Sequence, residues 1–126
     1  MKQYEEEHIE IIKYLVDASK TLIKALDYIE KNLYRFKTKE ILEILDEGIE
    51  SMEVCKRSLK VLPTGKDIKE QMNSTEAILH LFIKLRDDFY DGDVKECSVI
   101  VENDLLPKVN GWKSNLETNF QSYTIN

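Results

Sequence analysis

From His8 onward, the positions Ile12, Leu15, Ser19, Leu22, Leu26, Ile29, Leu33 and Phe36 follow alternating steps of four and three. Such steps form the seam of a packed α-helix, since a strand repeats every second residue. Ile11, Val16 and Ile23 widen the stripe, as in a helix that faces several neighbours in a bundle. The pattern predicts a first helix from Tyr4 to Phe36. Extending the same seam would bury Glu40, Glu43, Glu47 and Glu50, which an apolar core does not tolerate. Apolar positions resume at Ile41, Leu45, Gly48, Met52, Cys55, Leu59 and Leu62, one residue out of step. The chain is therefore expected to turn near Thr38, with Thr38 as N-cap of a second helix rather than the middle of one long helix.

Pro63-Thr64-Gly65 ends that helix, and Asp67 is expected to cap a third whose seam is Ile68, Met72, Thr75, Leu79, Phe82, Leu85 and Phe89. Asp91-Gly92-Asp93 reads as a tight turn with Asp93 as the next N-cap. Val94, Cys97, Val101, Leu105, Val109, Trp112, Leu116 and Phe120 form the fourth stripe. Pro107 lacks a backbone donor and Asn110-Gly111 is a poor helical pair, so a kink or short break is expected near Pro107. Beyond Ser122 the tail is expected to fray. Four amphipathic segments with short connections predict one all-α domain over residues 1–126, a four-helix antiparallel up-down-up-down bundle; three long helices are the alternative. The basic cluster Lys31, Arg35, Lys37 and Lys39 and the acidic cluster Asp87, Asp88, Asp91 and Asp93 then share one end, where their attraction is expected to help pin the turns.

Composition narrows the class of partner. The 126 residues carry 18 basic and 24 acidic side chains, a net charge of −6, which is the wrong sign for a protein held by phosphate attraction. Nucleic acid is not an expected partner. The opening residues contain no apolar leader, and the longest apolar runs are as short as Val99-Ile100-Val101, so no membrane span and a cytoplasmic location are expected. Cys55 and Cys97 lie on apolar seams and are expected to be unpaired core thiols.

Candidate chemistry is sparse. Glu5-Glu6-Glu7-His8 matches one half of a di-iron Glu-x-x-His set, but the second copy is missing, since Ala77 stands three residues before His80. Asp87 to Gly92 superficially resembles a calcium loop, yet Phe89, Lys95 and Ser98 fall where oxygen ligands are needed. Asn73-Ser74-Thr75 is a chance glycosylation sequon inside a helix. His80, with Lys84 after it, is the one candidate phosphoacceptor of a histidine phosphotransfer domain, although the Lys-Gly pair of that family reads Leu81-Phe82-Ile83-Lys84 here. No cofactor or metal is implied. Gly48 stands where a seam leucine is expected, which points to close helix approach or, alternatively, to a groove.

Leu105, Leu106, Pro107 and Trp112 combine a weakened helix with adjacent leucines, and are read as a candidate docking site for a helix of another protein. Gly92-Asp93-Val94, Glu102-Asn103-Asp104-Leu105-Leu106-Pro107, Trp112 and Leu116 together resemble the C-terminal signature of small uncharacterised cytoplasmic helical proteins of Gram-positive bacteria. Asn103, Asp104 and Gly111 depart from that pattern. The resemblance implies a bacterial cytoplasmic bundle and no activity. The expected function is a non-enzymatic interaction module, an adaptor or export-chaperone-like bundle, with phosphotransfer through His80 as the alternative.

Overall fold

The computed structural model describes residues 6–63 and 65–124, with side chains up to Asn119. The chain forms α1 (Glu6–Asn32), α2 (Thr38–Leu59), α3 (Lys66–Tyr90) and a fourth, composite helix. The composite consists of α4 (Val94–Val99), a π-helical segment (Ile100–Leu105) and α5 (Leu106–Thr124). Among the described residues there is no strand, and the fold is the expected all-α four-helix bundle. Neighbours close in a ring: α1 packs on α2 and α5, and α3 packs on α2, α5 and the π-helical segment. The ion pairs Asp46–Arg86 (3.3 Å) and Lys56–Glu76 (2.7 Å) run in opposite residue order, so α2 and α3 point opposite ways.

The predicted seams supply the core. Ile12, Leu15, Leu26, Ile29, Ile41, Leu45, Met52, Leu59, Phe82 and Leu85 are completely buried. Two buried hydroxyls are satisfied locally: Ser19 donates to the Val16 carbonyl at 2.6 Å and Thr75 to the Gln71 carbonyl at 2.7 Å. On α3 the core takes Gln71, with Met72 only half-buried, which corrects the expected stripe by one residue.

Helix boundaries differ from expectation where turn geometry overrides periodicity. The first helix stops at Asn32, whose side-chain amide donates to the Tyr28 carbonyl at 2.7 Å, and Tyr4 lies outside the described residues. Leu33 stays in the core, whereas Phe36 adopts a left-handed backbone (φ 57°) and is 99% exposed. Phe36 is thus no seam residue, because the helical step no longer operates past Asn32. Lys37 rather than Thr38 is the N-cap of α2, with no side-chain hydrogen bond, and Thr38 is the first helical residue. Gly65 rather than Asp67 caps α3, and Asp67 sits in the first turn, where its charge suits the helix dipole. Asp93 caps α4 as predicted, its carboxylate accepting from the Glu96 N–H at 3.2 Å. Among the described residues no ion pair joins the basic turn to the acidic one, so the expected pinning attraction is not made as direct contacts; Lys37 instead faces Glu40 at 4.0 Å.

The irregularity tied to Pro107 precedes it. Residues 100–105 widen to the π-helical pattern, the Leu106 N–H donates to the Val101 carbonyl, and α5 then runs through Asn110-Gly111 to Thr124 without a break. Asn110 supports that stretch by donating from its side chain to the Leu106 carbonyl at 2.9 Å. The fray expected from Ser122 is not seen as far as Thr124; Ile125 and Asn126 lie outside the described residues. The reason for the widening lies in the seam. Cys97, Val101, Leu105 and Val109 are separated by three successive steps of four. Twelve residues of α-helix at about 100° each overshoot three full turns by about 120°, which would carry Val109 off the core face. A π-helical turn absorbs one extra residue and keeps Ile100, Val101, Leu105 and Val109 all buried.

The same segment brings Glu102 against Glu30 of α1. Partial burial raises the Glu30 carboxyl above its ordinary range, the like charge of Glu102 and then Asp27 add to this, and Lys31 opposes it. A carboxyl raised on folding contributes stability that is complete below its unfolded pKa and fades as pH climbs through the raised folded value. Glu30→Gln is therefore expected to increase the thermal midpoint at pH 7 and to lose that advantage below about pH 4, near the ordinary glutamate value. Melting curves from pH 3 to 8 check this; a lower midpoint at pH 7 would contradict the repulsion.

Candidate functional site

The α1–α2 seam is packed more sparingly than α1–α5 or α2–α3, and two clefts open along it. One, of about 420 Å³, is lined by Glu7, Glu10, Ile11, Tyr14, Val54 and Ser58. The other, also about 420 Å³, is lined by Thr21, Leu22, Lys24, Ala25, Ile44, Glu47, Gly48 and Ser51. The clefts lie in line, since α1 is followed from Glu7 to Ala25 while α2 is followed backward from Ser58 to Ile44. At 1.5 Å per residue the two clefts together make an interrupted trough that spans about 27 Å of the seam. Small residues make it: Ala25, Ser51 and Gly48 leave room between the helices that leucines would fill.

Gly48 is constrained from the other side. A Cβ there would stand 2.9 Å from Cε1 and 3.2 Å from Cδ1 of Phe82, whose ring is fully buried. The missing side chain thus admits the Phe82 ring of α3 while the Gly48 backbone forms part of the trough wall. Both readings of this glycine, close approach and groove, meet at one residue.

Tyr14 and Ser51 are in polar contact between the two clefts. Burial, then the nearby Cys55 sulfur, raises the Tyr14 hydroxyl pKa, and Ser51 pulls it back. Burial pushes the Cys55 thiol up to about 12, with Ser51 opposing. Burial, followed by the charges of Asp88, Asp93 and Glu96, pushes Cys97 up to about 11. Both cysteines are free and buried, so each is a protonated core thiol and a poor nucleophile at neutral pH.

The other candidates are placed as follows. Leu105 and Trp112 are in the core, Leu106 packs half-buried against it, and Pro107 is exposed. Leu105 and Trp112 thus lie inward, as their places on the fourth stripe predict, and of the expected docking site only Leu106 and Pro107 reach the surface in this conformation. Among the described residues the Trp112 indole Nε1 and the Gln71 Oε1 are buried without a hydrogen-bond partner. His80 is 69% exposed at its side chain, and its Nε2 lies 3.3 Å from Glu76, while Lys84 is held by Asp88 at 2.9 Å. His8 faces Glu7 at 3.9 Å, and Glu5 lies outside the described residues. Among the described residues no group of three or more His, Cys, Asp or Glu side chains is arranged to hold a metal ion, and no helix is long and apolar enough to cross a membrane.

Residues 10–115, which take in most of the four helices and every cleft residue named above except Glu7, match the model of a domain of unknown function, DUF8042. The chain belongs to this family. No curated protein and no solved structure matches it. In this DUF8042 chain the matched region takes in nearly all of the Gly92–Leu116 signature, and the family is uncharacterised, as that resemblance implied. Sequence periodicity could not reveal the trough of this DUF8042 domain, because it depends on how two helices lean together. Gly48 was the one signal of it.

Proposed function

We propose that this protein is a non-enzymatic interaction module, an adaptor or export-chaperone-like bundle that holds an amphipathic helix of another protein in the α1–α2 trough. The trough carries the reading: its two clefts together span about 18 helical residues at 1.5 Å each, with Ile11 and Val54 lining one and Leu22 and Ile44 the other, on either side of the Tyr14–Ser51 contact. Its rim selects the partner. Glu7 and Glu10 are exposed at one end, and Lys24 and Glu47 face each other's side of the groove at the other. A docked helix is expected to bring a basic residue to Glu7 and Glu10 and small apolar residues opposite Ala25 and Gly48. The net charge of −6 favours the same cationic partner and disfavours nucleic acid. The resemblance over Gly92–Leu116 supports the cytoplasm of a Gram-positive bacterium as its setting.

The alternative is phosphotransfer through His80, favoured by the exposure of that side chain. Against it, the Glu76 carboxylate faces the nitrogen that would carry a phosphoryl group, and Lys84 is engaged elsewhere. One experiment separates the readings. A displayed library of amphipathic helices is selected on the purified protein, and the best peptides are measured against Ala25→Trp, which fills the trough. Binding is expected to weaken at least tenfold with the melting curve little changed. Peptides that bind the filled trough equally well, or acid-labile phosphate on His80 after incubation with phosphoramidate, would overturn the proposal.

A further inference from the structure

We propose that the chain self-associates head to head, a second copy docking on the end of the bundle that carries the α1–α2 and α3–α4 turns. Phe36 is the first observation. Its side chain is 99% exposed on a left-handed backbone that a bulky residue rarely adopts and that glycine or asparagine would serve better. Strain kept at an exposed aromatic points to a use for the side chain. Tyr34 beside it is 68% exposed, and Tyr90, at the end of α3, is 74% exposed.

The second observation is the shape of that end. Asp46 meets Arg86, Thr38 lies eight residues before Asp46, and Tyr90 lies four residues after Arg86. The α1–α2 turn therefore projects past the α3–α4 turn by about 6 Å at 1.5 Å per residue. The end is a step, with Phe36 on the raised half and Tyr90 on the lower one.

The third observation is charge. The raised half is basic through Arg35, Lys37 and Lys39, the lower half acidic through Asp87, Asp91 and Asp93, and all six are exposed. No ion pair joins the halves among the described residues; Lys37 faces Glu40 only at 4.0 Å and Asp93 caps α4, while Arg35, Lys39, Asp87 and Asp91 are exposed to an outside partner. A stepped, bipolar end is complementary to itself. A two-fold axis lying across it sets the raised basic half of one copy over the lower acidic half of the other, twice, with Phe36 against Tyr90 of the partner subunit. A purely basic or purely acidic partner would meet one half and be repelled by the other. Three exposed aromatics per copy, at about 150–250 Å² each when buried, bring the buried total to roughly 1,000 Å² over both copies. That is the lower limit of a specific interface, so association is looked for over a wide range of concentration.

Sedimentation velocity of the whole chain from about 5 to 500 µM tests this. A concentration-dependent species of twice 14.8 kDa is expected at low salt, weakened at least tenfold in 0.5 M salt. Phe36→Gly removes the ring and the backbone strain together, so it is expected to melt no earlier than wild type while associating at least tenfold more weakly. Lys37→Glu and Asp91→Lys should each be monomeric alone and pair when mixed, since the swap restores opposite charges across the contact. A monomer at every concentration, or a dimer indifferent to Phe36→Gly, would overturn the inference. So would a monomer that binds anionic phosphatidylserine vesicles through Phe36, which would assign the tip to a lipid surface.

Discussion

Gly48→Val is expected to lower the unfolding free energy by about 3 kcal/mol, and to cost far less when Phe82 is alanine. Valine is the better helix former by a few tenths of a kcal/mol, so propensity alone would favour the change. The ring decides otherwise. A Cβ at residue 48 falls 2.9 Å from the Phe82 ring, and the two valine methyls extend further into a core whose ring has no exposed surface to retreat to. Phe82→Ala alone should cost about 3–5 kcal/mol by leaving a cavity at the same place. The valine methyls would occupy part of that cavity, so the double variant should be at most slightly less stable than Phe82→Ala. Urea unfolding of all four proteins checks this. Strictly additive penalties would mean that α2 and α3 are not wedged at this contact.

Deleting Asn103 is expected to leave the protein folded, at a cost of about 3 kcal/mol for seating Pro107 in a plain α-helix, whereas deleting Glu53 should abolish folding. Ordinarily, removing one helical residue rotates everything beyond it by about 100° and turns the rest of the seam out of the core. Glu53 lies in regular α2, so Cys55, Leu59 and Leu62, all buried, would be misplaced. Asn103 is exposed within the π-helical segment. Its loss reduces the stretch from Cys97 to Val109 to eleven steps, and eleven residues at about 100° complete three turns with only about 20° left over. The fourth helix would then close as a plain α-helix with the same residues inward. Circular dichroism and thermal melts read both variants; an unfolded Asn103 deletion would show that the widening is imposed by Pro107 and not by the seam.

Periodicity made much of this fold legible. The one-residue shift between Phe36 and Ile41 located the first turn, Pro63 to Gly65 the second, and Asp93 proved to be a cap because an aspartate before an apolar run has a strong local reason to be one. Local signals failed where a choice depended on the neighbouring helix. Phe36 continued the four-three step in sequence, yet the chain had already left the helix at Asn32, and nothing local distinguishes a last seam residue from a first exposed one. Pro107 drew attention to itself, while the three steps of four from Cys97 to Val109, the real mark of a π-helical segment, join ordinary apolar residues. Trp112 was read both as a stripe residue and as part of a docking site, and its burial agrees with the stripe. The trough was legible only through Gly48, because a groove is a property of the spacing between helices and a seam records only which face each helix buries.

The π-helical segment also gives one interval of the chain a countable length. A helix one residue too long for its seam is what a single-codon insertion leaves behind when the bundle stretches one turn around it rather than re-registering α5. Relatives that lack the extra codon would carry eleven steps between the counterparts of Cys97 and Val109, and their fourth helix would be α-helical throughout. The length of that interval, counted across DUF8042 chains, would separate those built with the π-helical segment from those built without it.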